Sequence, residues 1–296
     1  MGLNRRVTGT GDRVIRGMTD DGALRTMAAR TTDSVHGALA AQGVRGPEAR
    51  ALGELMTAAV LYRETMAPTL KVQVVLRGGE GSGQVVADSF PGGVVRGLVQ
   101  RRDGAPAFHL GAGSMLQMMR SLPNGELHRG VVEVPAWSDG GINEGLMAYM
   151  QQSEQIVTMA RVAVVMDHDE VVAAGGYLVQ LLPEAPDRVG PVRLMAQRLE
   201  DDFMNIGERL RATDASPDHL LEEIFYGMEH TRLGYCTLRF GCECSRARVM
   251  GSLATLSRSD IQHLLKDQEP FDMHCDWCGT DYRVEPAELQ GLLMES

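Results

Sequence analysis

The pattern of hydrophobic and polar residues changes along the chain, and each change predicts a different kind of element. Residues 1–18 show little periodicity, whereas residues 20–43, DDGALRTMAARTTDSVHGALAAQG, are typical of a helix. A second helix is predicted from Pro47, a residue favoured at the first helical position. It ends before Pro68, because a proline disfavours helical geometry at the residue before it. Its apolar stripe consists of Leu52, Leu55, Met56, Ala59 and Val60.

The period then shortens to two residues, which is typical of strands. In LKVQVVL (70–76), every second residue is apolar and Lys71 and Gln73 lie between them, which predicts a half-buried strand. A helix is predicted at about 142–156. Further strands are predicted for QVVADSF, VVRGLVQ, HRGVVEV (128–134), ARVAVVM (160–166) and AAGGYLVQLL. The pattern predicts an α+β fold with mostly antiparallel strands and helices packed on one side.

The segment after Pro183 has a different character. Val192, Met195, Leu199, Phe203, Ile206 and Leu210 recur at helical spacing, and a further helix is predicted with Ser216 as its cap and Pro217 at its first position. These narrow apolar stripes need a neighbour. They fit either a marginally stable connector or an ordinary helical extension of the first domain. We divide the chain into a core domain (1–183), a helical linker (184–231) and a C-terminal domain (232–296).

Charge and hydropathy exclude several classes of partner. The formal net charge is −10 and the isoelectric point is about 5.3, so the surface would repel a phosphate backbone. Apolar runs such as VAVVM (162–166) are too short to cross a bilayer, and the N-terminal residues lack the apolar region of a secretory signal. We therefore expect a cytoplasmic protein with neither nucleic-acid nor membrane partners. In a reducing compartment, paired cysteines favour metal binding or redox chemistry over structural disulfides.

Four of the five cysteines lie in two short pieces near the C-terminus. Cys242 and Cys244 form a CxC pair, and Cys275 and Cys278 form a CxxC pair thirty residues further on. Together they supply the four ligands of a closed tetrahedral zinc site. About sixty residues after position 230 form a poor hydrophobic core, and small domains of this size often need a metal. Cys236 is interpreted as a small buried residue.

His274, next to the second pair, is not expected to bind the metal, because four thiols suffice.

Three functions fit a zinc–thiolate domain. A nucleic-acid module is disfavoured, since residues 232–296 hold seven Lys and Arg against ten Asp and Glu. A thiol–disulfide oxidoreductase has the CxxC spacing, but such a pair usually opens a helix after a strand. The third is a redox switch, in which oxidation of the thiols releases a folded tail. No serine–histidine–aspartate arrangement or phosphate-binding loop is evident, so we do not expect an enzyme.

The cysteine pattern resembles that of the 33-kilodalton heat-shock protein family, the redox-regulated holdase chaperones of bacteria. The family motif is CxC, roughly thirty residues, and CxxC near the C-terminus. The resemblance covers nearly the whole chain. The similar stretches are VIRGMTDDGALRTMAARTTDSV, GELMTAAVLYRETM, RGLVQ, the SEQ of QQSEQIVTM, GGYLVQLLP, CECSRARV, LSRSDIQHLLKD and CDWCGTDYRVEPAEL.

The resemblance implies an ATP-independent chaperone that binds unfolding proteins. In the reduced state, Cys242, Cys244, Cys275 and Cys278 would hold one Zn²⁺ and the chaperone would be inactive. Peroxide or hypochlorous acid under unfolding conditions would form the disulfides Cys242–Cys244 and Cys275–Cys278. Zinc would then be released, the linker would unfold, and the oxidised chain would act as a homodimer. The alternatives are a thiol–disulfide oxidoreductase and a chaperone with purely structural zinc.

Overall fold

A computed structural model describes residues 11–101, 104, 107–135, 141–183, 189–212, 215–266 and 269–294. The chain divides into two compact units, Met1–Phe240 and Gly241–Ser296. The first unit contains one antiparallel sheet, one mixed sheet and six α-helices among the described residues. The second contains a two-stranded hairpin and three short helices over the same described part of the chain. The predicted α+β class is confirmed.

The first sheet is antiparallel and has five strands. They are β1 (Arg13–Thr19), β2 (Leu24–Arg30), β8 (Thr158–Asp167), β9 (Glu170–Leu181) and β10 (His230–Thr237). Their order is β10-β1-β2-β9-β8.

The second sheet has six strands. They are β3 (Val72–Arg77), β4 (Gln84–Ser89), β5 (Val94–Gln100), β6 (Met115–Ser121), β7 (Leu127–Glu133) and β11 (Arg239–Phe240). Their order is β11-β5-β4-β3-β6-β7. Only the β11–β5 pair is parallel in the described part of this sheet.

Three helices lie between these sheets: α1 (Thr32–Gln42), α2 (Gly46–Arg63) and α3 (Gly141–Tyr149). Pro47 stands at the start of α2, as predicted, and fourteen of its residues are buried. A helix between two sheets is apolar all round, so the predicted stripe is one part of a wider buried surface. The helix predicted at about 142–156 is α3 followed by a π turn, Met150–Glu154.

The outer face of the five-stranded sheet carries a second helical layer. It consists of α4 (Gly190–Asp202), α5 (Ile206–Arg211) and α6 (Pro217–Ile224). Ser216 caps α6 by accepting a hydrogen bond from the His219 backbone N–H, as its sequence predicts. The sheet therefore has helices on both faces, and the expectation of helices on one side is wrong for it. A shared apolar cluster joins the layer to the sheet; it includes Ile15, Leu24, Tyr177, Met195, Phe203, Leu221 and Phe225.

One prediction for the first forty-three residues is wrong in part, and one strand was not predicted. Residues 24–30, predicted as helical, form β2, and β1 lies within the stretch that shows little periodicity. Both strands are covered on two faces, so their buried residues do not alternate: Val14 faces the inner core and Ile15 faces the helical layer. Residues such as Leu24 and Ala28 favour helices in isolation, but pairing with β1 and β9 decides their structure.

The boundary between the two units differs from the predicted one. Residues 232–237 belong to β10, which pairs with β1 along seven register positions, and β11 extends the six-stranded sheet. Residues 232–240 are therefore part of the first unit because their backbone groups complete its sheets. The second unit begins at Gly241, two residues after β11 begins.

The second unit is small. Its elements are α7 (Arg246–Leu253), α8 (Arg258–Leu264), β12 (Phe271–His274), β13 (Asp281–Val284) and α9 (Pro286–Met294). Its buried hydrophobic residues are Leu253, Ile261, Leu265, Val284 and Leu289. The β12–β13 hairpin places Val284 opposite Phe271 at the open end and Asp281 opposite His274 next to the turn.

Candidate metal centre

The CxxC pair lies in the tight turn between β12 and β13. The Cys275 backbone N–H donates to the Thr280 carbonyl at 2.9 Å, and the Gly279 N–H donates to the Cys275 carbonyl at 2.9 Å. Gly279 has a φ of +71°, in the left-handed region that glycine adopts without steric cost. The turn therefore directs the thiols of Cys275 and Cys278 towards one point.

The CxC pair lies in the extended segment between β11 and α7. Ser245 follows it and caps α7, since its side chain accepts a hydrogen bond from the Arg248 backbone N–H. This cap stops the helix from extending back into the pair. The Cys244 N–H donates to the Cys242 sulfur at 3.4 Å. Residues two apart in an extended segment point to the same side, which is how both thiols come to face the turn.

The four sulfur atoms of these pairs form one cluster, and all lie within 4.8 Å of one another. The Cys242–Cys275 sulfurs are 3.7 Å apart and the Cys244–Cys278 sulfurs are 3.3 Å apart. Four sulfurs bound to a tetrahedral Zn²⁺ at about 2.3 Å would be separated by roughly 3.8 Å. The four cysteines that the sequence singled out are therefore close enough to bind one metal ion.

Protonation of the cluster is shared among its members. The hydrogen bond from Tyr282 acts to lower the pKa of Cys244, but burial and the neighbouring thiols raise it to about 12. Burial is the largest influence on Cys275 and raises its pKa. Burial also acts to raise the pKa of Cys278, but hydrogen bonds from Thr280 and two neighbouring thiols outweigh it and lower the pKa to about 6. Four thiolates this close repel one another, so the cluster ionises fully only around a cation.

Two hydroxyl groups lie beside the sulfurs, and sequence reasoning did not single them out. The Tyr282 hydroxyl donates to the Cys244 sulfur at 3.1 Å, and the Thr280 hydroxyl lies 3.2 Å from the Cys278 sulfur. Their positions, two and four residues after the CxxC pair, could have served as a signal once a hairpin was assumed. Both are neutral donors that can stabilise a thiolate.

The neighbouring His274 and the fifth cysteine lie outside this cluster. The His274 Nδ1 lies 2.8 Å from an Asp281 carboxylate oxygen, on the exposed side of the hairpin. Cys236 lies in β10 of the first unit, opposite Val14, and is partly buried. Burial raises the pKa of the Cys236 thiol, which makes it a weak nucleophile.

No helix in the described ranges is both long and apolar enough to cross a membrane.

Residues 12–285 match a family model described as Hsp33 protein. A 33 kDa chaperonin of Thermus thermophilus is 32% identical over 96% of this chain and 87% of that protein. A 33 kDa chaperonin of Bacillus subtilis is 27% identical over 95% of this chain and 98% of that protein.

Structural comparison supports the same class of fold. The crystal structure of a 33 kDa chaperonin (heat shock protein 33 homolog) from Thermotoga maritima covers 97% of this chain and 99% of its own. The TM-score is 0.81 at 23% sequence identity. Fold and sequence together define a chaperone of the 33 kDa class. This chain belongs to the Hsp33 family, as its resemblance predicted.

Proposed function

We propose that this protein is a redox-regulated, ATP-independent holdase that binds unfolding proteins in the bacterial cytoplasm under oxidative stress. The observation that carries the proposal is the cluster of four sulfurs within 4.8 Å in a unit with only five buried hydrophobic residues in its described core. Such a unit depends on its ligand bonds, and thiolate ligands are sensitive to oxidants. Family membership supports the chaperone activity.

Zn²⁺ is the metal that this donor set favours. Four thiolates at tetrahedral spacing match closed structural zinc sites, and hard cations such as Mg²⁺ prefer oxygen ligands. Bound Zn²⁺ would compensate the charge of the thiolates and hold the CxC segment to the hairpin. We expect one Zn²⁺ per chain in the reduced state, bound by Cys242, Cys244, Cys275 and Cys278.

Oxidation would remove the ligands in pairs. Two thiolates give two electrons to one peroxide molecule, forming one disulfide and two hydroxide ions. The pairs that we propose are Cys242–Cys244 and Cys275–Cys278, on the strength of the family resemblance. The shortest sulfur separations join the two motifs instead, at 3.7 and 3.3 Å. Peptide mapping of the oxidised chain therefore has to distinguish pairing within the motifs from pairing between them.

Loss of the metal would unfold the second unit. Structural zinc contributes roughly 10–16 kcal/mol to small metal-binding domains, whereas a whole native domain is stable by only about 5–15 kcal/mol. Five buried hydrophobic residues cannot replace a contribution of that size. We expect the oxidised second unit to be disordered.

The helical layer of the first unit is the source of apolar surface in this proposal. Residues 184–231 act as the linker, and residues 1–183 act as the core that binds clients and forms homodimers after oxidation. Met195, Leu221 and Phe225 of the layer are fully buried against the five-stranded sheet. Detachment of the layer would expose both its apolar side and the sheet face beneath it. Residues 232–296 serve as the switch, with their first nine residues anchored in the sheets of the first unit.

Light scattering of an unfolding client tests the proposal. The zinc-loaded reduced protein is compared with protein pretreated with peroxide at mildly elevated temperature. We expect only the oxidised sample to suppress aggregation, and a Cys236→Ser variant to switch in the same way, because Cys236 lies outside the cluster. Equal protection by both samples would indicate a chaperone with purely structural zinc.

Equal failure of both samples would favour the thiol–disulfide oxidoreductase, and turnover of small disulfides by the CxxC pair alone would establish it. We do not expect such turnover. The CxxC pair lies in a hairpin turn, whereas oxidoreductase pairs usually lie at the start of a helix after a strand.

A further inference from the structure

The four sulfurs differ in the groups that donate hydrogen bonds to them. Cys242, Cys275 and Cys278 each accept at least one backbone N–H from their own segment. Cys244 receives the hydroxyl of Tyr282, a side chain from the opposite segment, at 3.1 Å. The hydrogen bond to Cys244 can therefore be removed by deleting one oxygen atom, without altering the backbone.

The hairpin holds Tyr282 in place. Tyr282 pairs with Met273 in the β12–β13 register and shares a strand face with Val284, which is buried in the small core. The alternate residues Asp281 and Arg283 are exposed. The aromatic ring is thus directed inward by the alternation of the strand, and its hydroxyl meets the CxC segment.

A hydroxyl that donates to a thiolate withdraws negative charge from the sulfur. Oxidation begins when a thiolate sulfur attacks one peroxide oxygen, the O–O bond breaks, and a sulfenic acid and a hydroxide ion form. A second thiolate then attacks the sulfenic sulfur, an S–S bond forms, and a second hydroxide ion leaves. The first step depends on the electron density at the sulfur, so a donated hydrogen bond slows it.

We propose that Tyr282 is a positioning residue that sets the oxidant threshold of the switch, by holding Cys244 in the cluster and lowering its reactivity towards peroxides. The inference rests on the proposed function, because it assumes that peroxide oxidises the metal-bound thiolates. Thr280 has a smaller part, since Cys278 keeps a backbone donor when the threonine hydroxyl is removed.

The test is the rate of metal release from the full-length, zinc-loaded chain as peroxide is varied, followed with a colorimetric chelator. Tyr282→Phe should release zinc about 3- to 10-fold faster. A hydrogen bond to a charged group changes an equilibrium constant by roughly tenfold or more, and a part of that effect is expected in the rate. Thr280→Val should show a smaller increase. Tyr226→Phe is the matched control, because Tyr226 is 79% exposed in the first unit and should react like the wild type.

A second readout distinguishes the hydrogen bond from a general loss of structure. With Co²⁺ in place of zinc, the sulfur-to-metal charge-transfer band of Tyr282→Phe should move to lower energy at unchanged stoichiometry, and that of Tyr226→Phe should not. Peroxide-driven release from Tyr282→Phe at the Tyr226→Phe rate would overturn the inference. If the wild type releases no zinc under peroxide, the proposed function fails. The role of Tyr282 is then tested by the Co²⁺ spectrum alone, and a charge-transfer band of Tyr282→Phe at the wild-type energy would overturn it.

Discussion

The two units of this chain are stabilised by different means. In the first unit, apolar side chains of two sheets and the helices between them form a large continuous core, and Leu52, Leu55, Met56 and Leu61 of α2 are completely buried. In the second unit, five buried hydrophobic residues form a small core, and four sulfurs lie within 4.8 Å of one another. Oxidants do not weaken the stabilisation that comes from burying hydrocarbon, but they do react with thiolate ligands.

This difference explains why oxidation of thiols would unfold the second unit and leave the first unit folded. A region with a large core would remain folded after any single thiol had reacted, as we expect for Cys236. A region with five buried hydrophobic residues has little reserve. The small core is therefore a requirement of the proposed switch.

The helical layer α4–α6 has properties of both regions. It buries apolar residues against the five-stranded sheet, and single side chains also join its helices to the sheet and to one another. A Cβ atom at Gly17 of β1 would lie 3.0 Å from side-chain atoms of both Leu221 and Phe225, so these side chains pack closely over the strand at this position. Arg198 of α4 donates to the Ile224 carbonyl at the end of α6, at 2.7 Å.

Removal of the metal should produce the largest difference between the two units. Chelation of zinc from the reduced chain should abolish amide protection across residues 241–294, because a contribution of roughly 10–16 kcal/mol is lost. The strands of the six-stranded sheet should keep their protection. Hydrogen exchange followed by mass spectrometry measures both regions in one sample. Persistent protection of α7–α9 after chelation would mean that the small core suffices.

Phe225 offers a test of the helical layer. Phe225→Ala should destabilise the packing of α6 by about 3–5 kcal/mol, since the ring is fully buried in the second cluster. We expect this variant to suppress client aggregation partly without oxidant, because the layer detaches more readily. Tyr226→Ala is the control, as its neighbouring ring is exposed. If the two reduced variants suppress aggregation equally in light scattering, the helical layer does not cover the surface that binds clients.

A smaller effect is expected from Glu54 of α2, in the first unit. It lines a cavity of about 530 Å³ together with Arg50, Asn143 and Arg161, among others. Burial raises the pKa of Glu54 to about 7, against the opposing effects of Arg50 and the Val164 backbone. The folded state therefore holds this proton more tightly than the unfolded state does.

Between about pH 4.5 and 7 the folded chain binds more protons at Glu54, so its free energy of unfolding falls as the pH rises. Glu54→Gln should remove this contribution, about 1–3 kcal/mol for a partly accessible group. Urea unfolding of the zinc-loaded chain at pH 5 and pH 8 measures the difference. Parallel pH dependence in wild type and variant would show that Glu54 is ordinarily solvated.

The sequence predicted most of the elements whose burial alternates or is continuous over a long stretch. Strands β3 and β4 and helix α2 were found in this way, and so were the cysteine pairs, because thiols are scarce elsewhere in the chain. Strand β6 was missed: its residues, MLQMMRS, carry methionines whose flexible side chains give no clear preference for a strand.

Other features depend on contacts between distant residues. Strand β10 joins β1 across more than two hundred residues, and no local pattern reveals that pairing. The hydrogen bond from Tyr282 to Cys244 likewise depends on how a hairpin meets an extended segment thirty-eight residues earlier. Local preferences cannot specify such contacts, since they arise only when the chain is folded.

The most direct test of the account is hydrogen exchange of the full-length chain before and after peroxide treatment. The account predicts that residues 241–294 and the helices within 190–224 both lose protection, while the six-stranded sheet is unchanged. Loss confined to 241–294, with α4–α6 still protected, would contradict it, because the oxidised centre would then have no means of exposing apolar surface on the first unit.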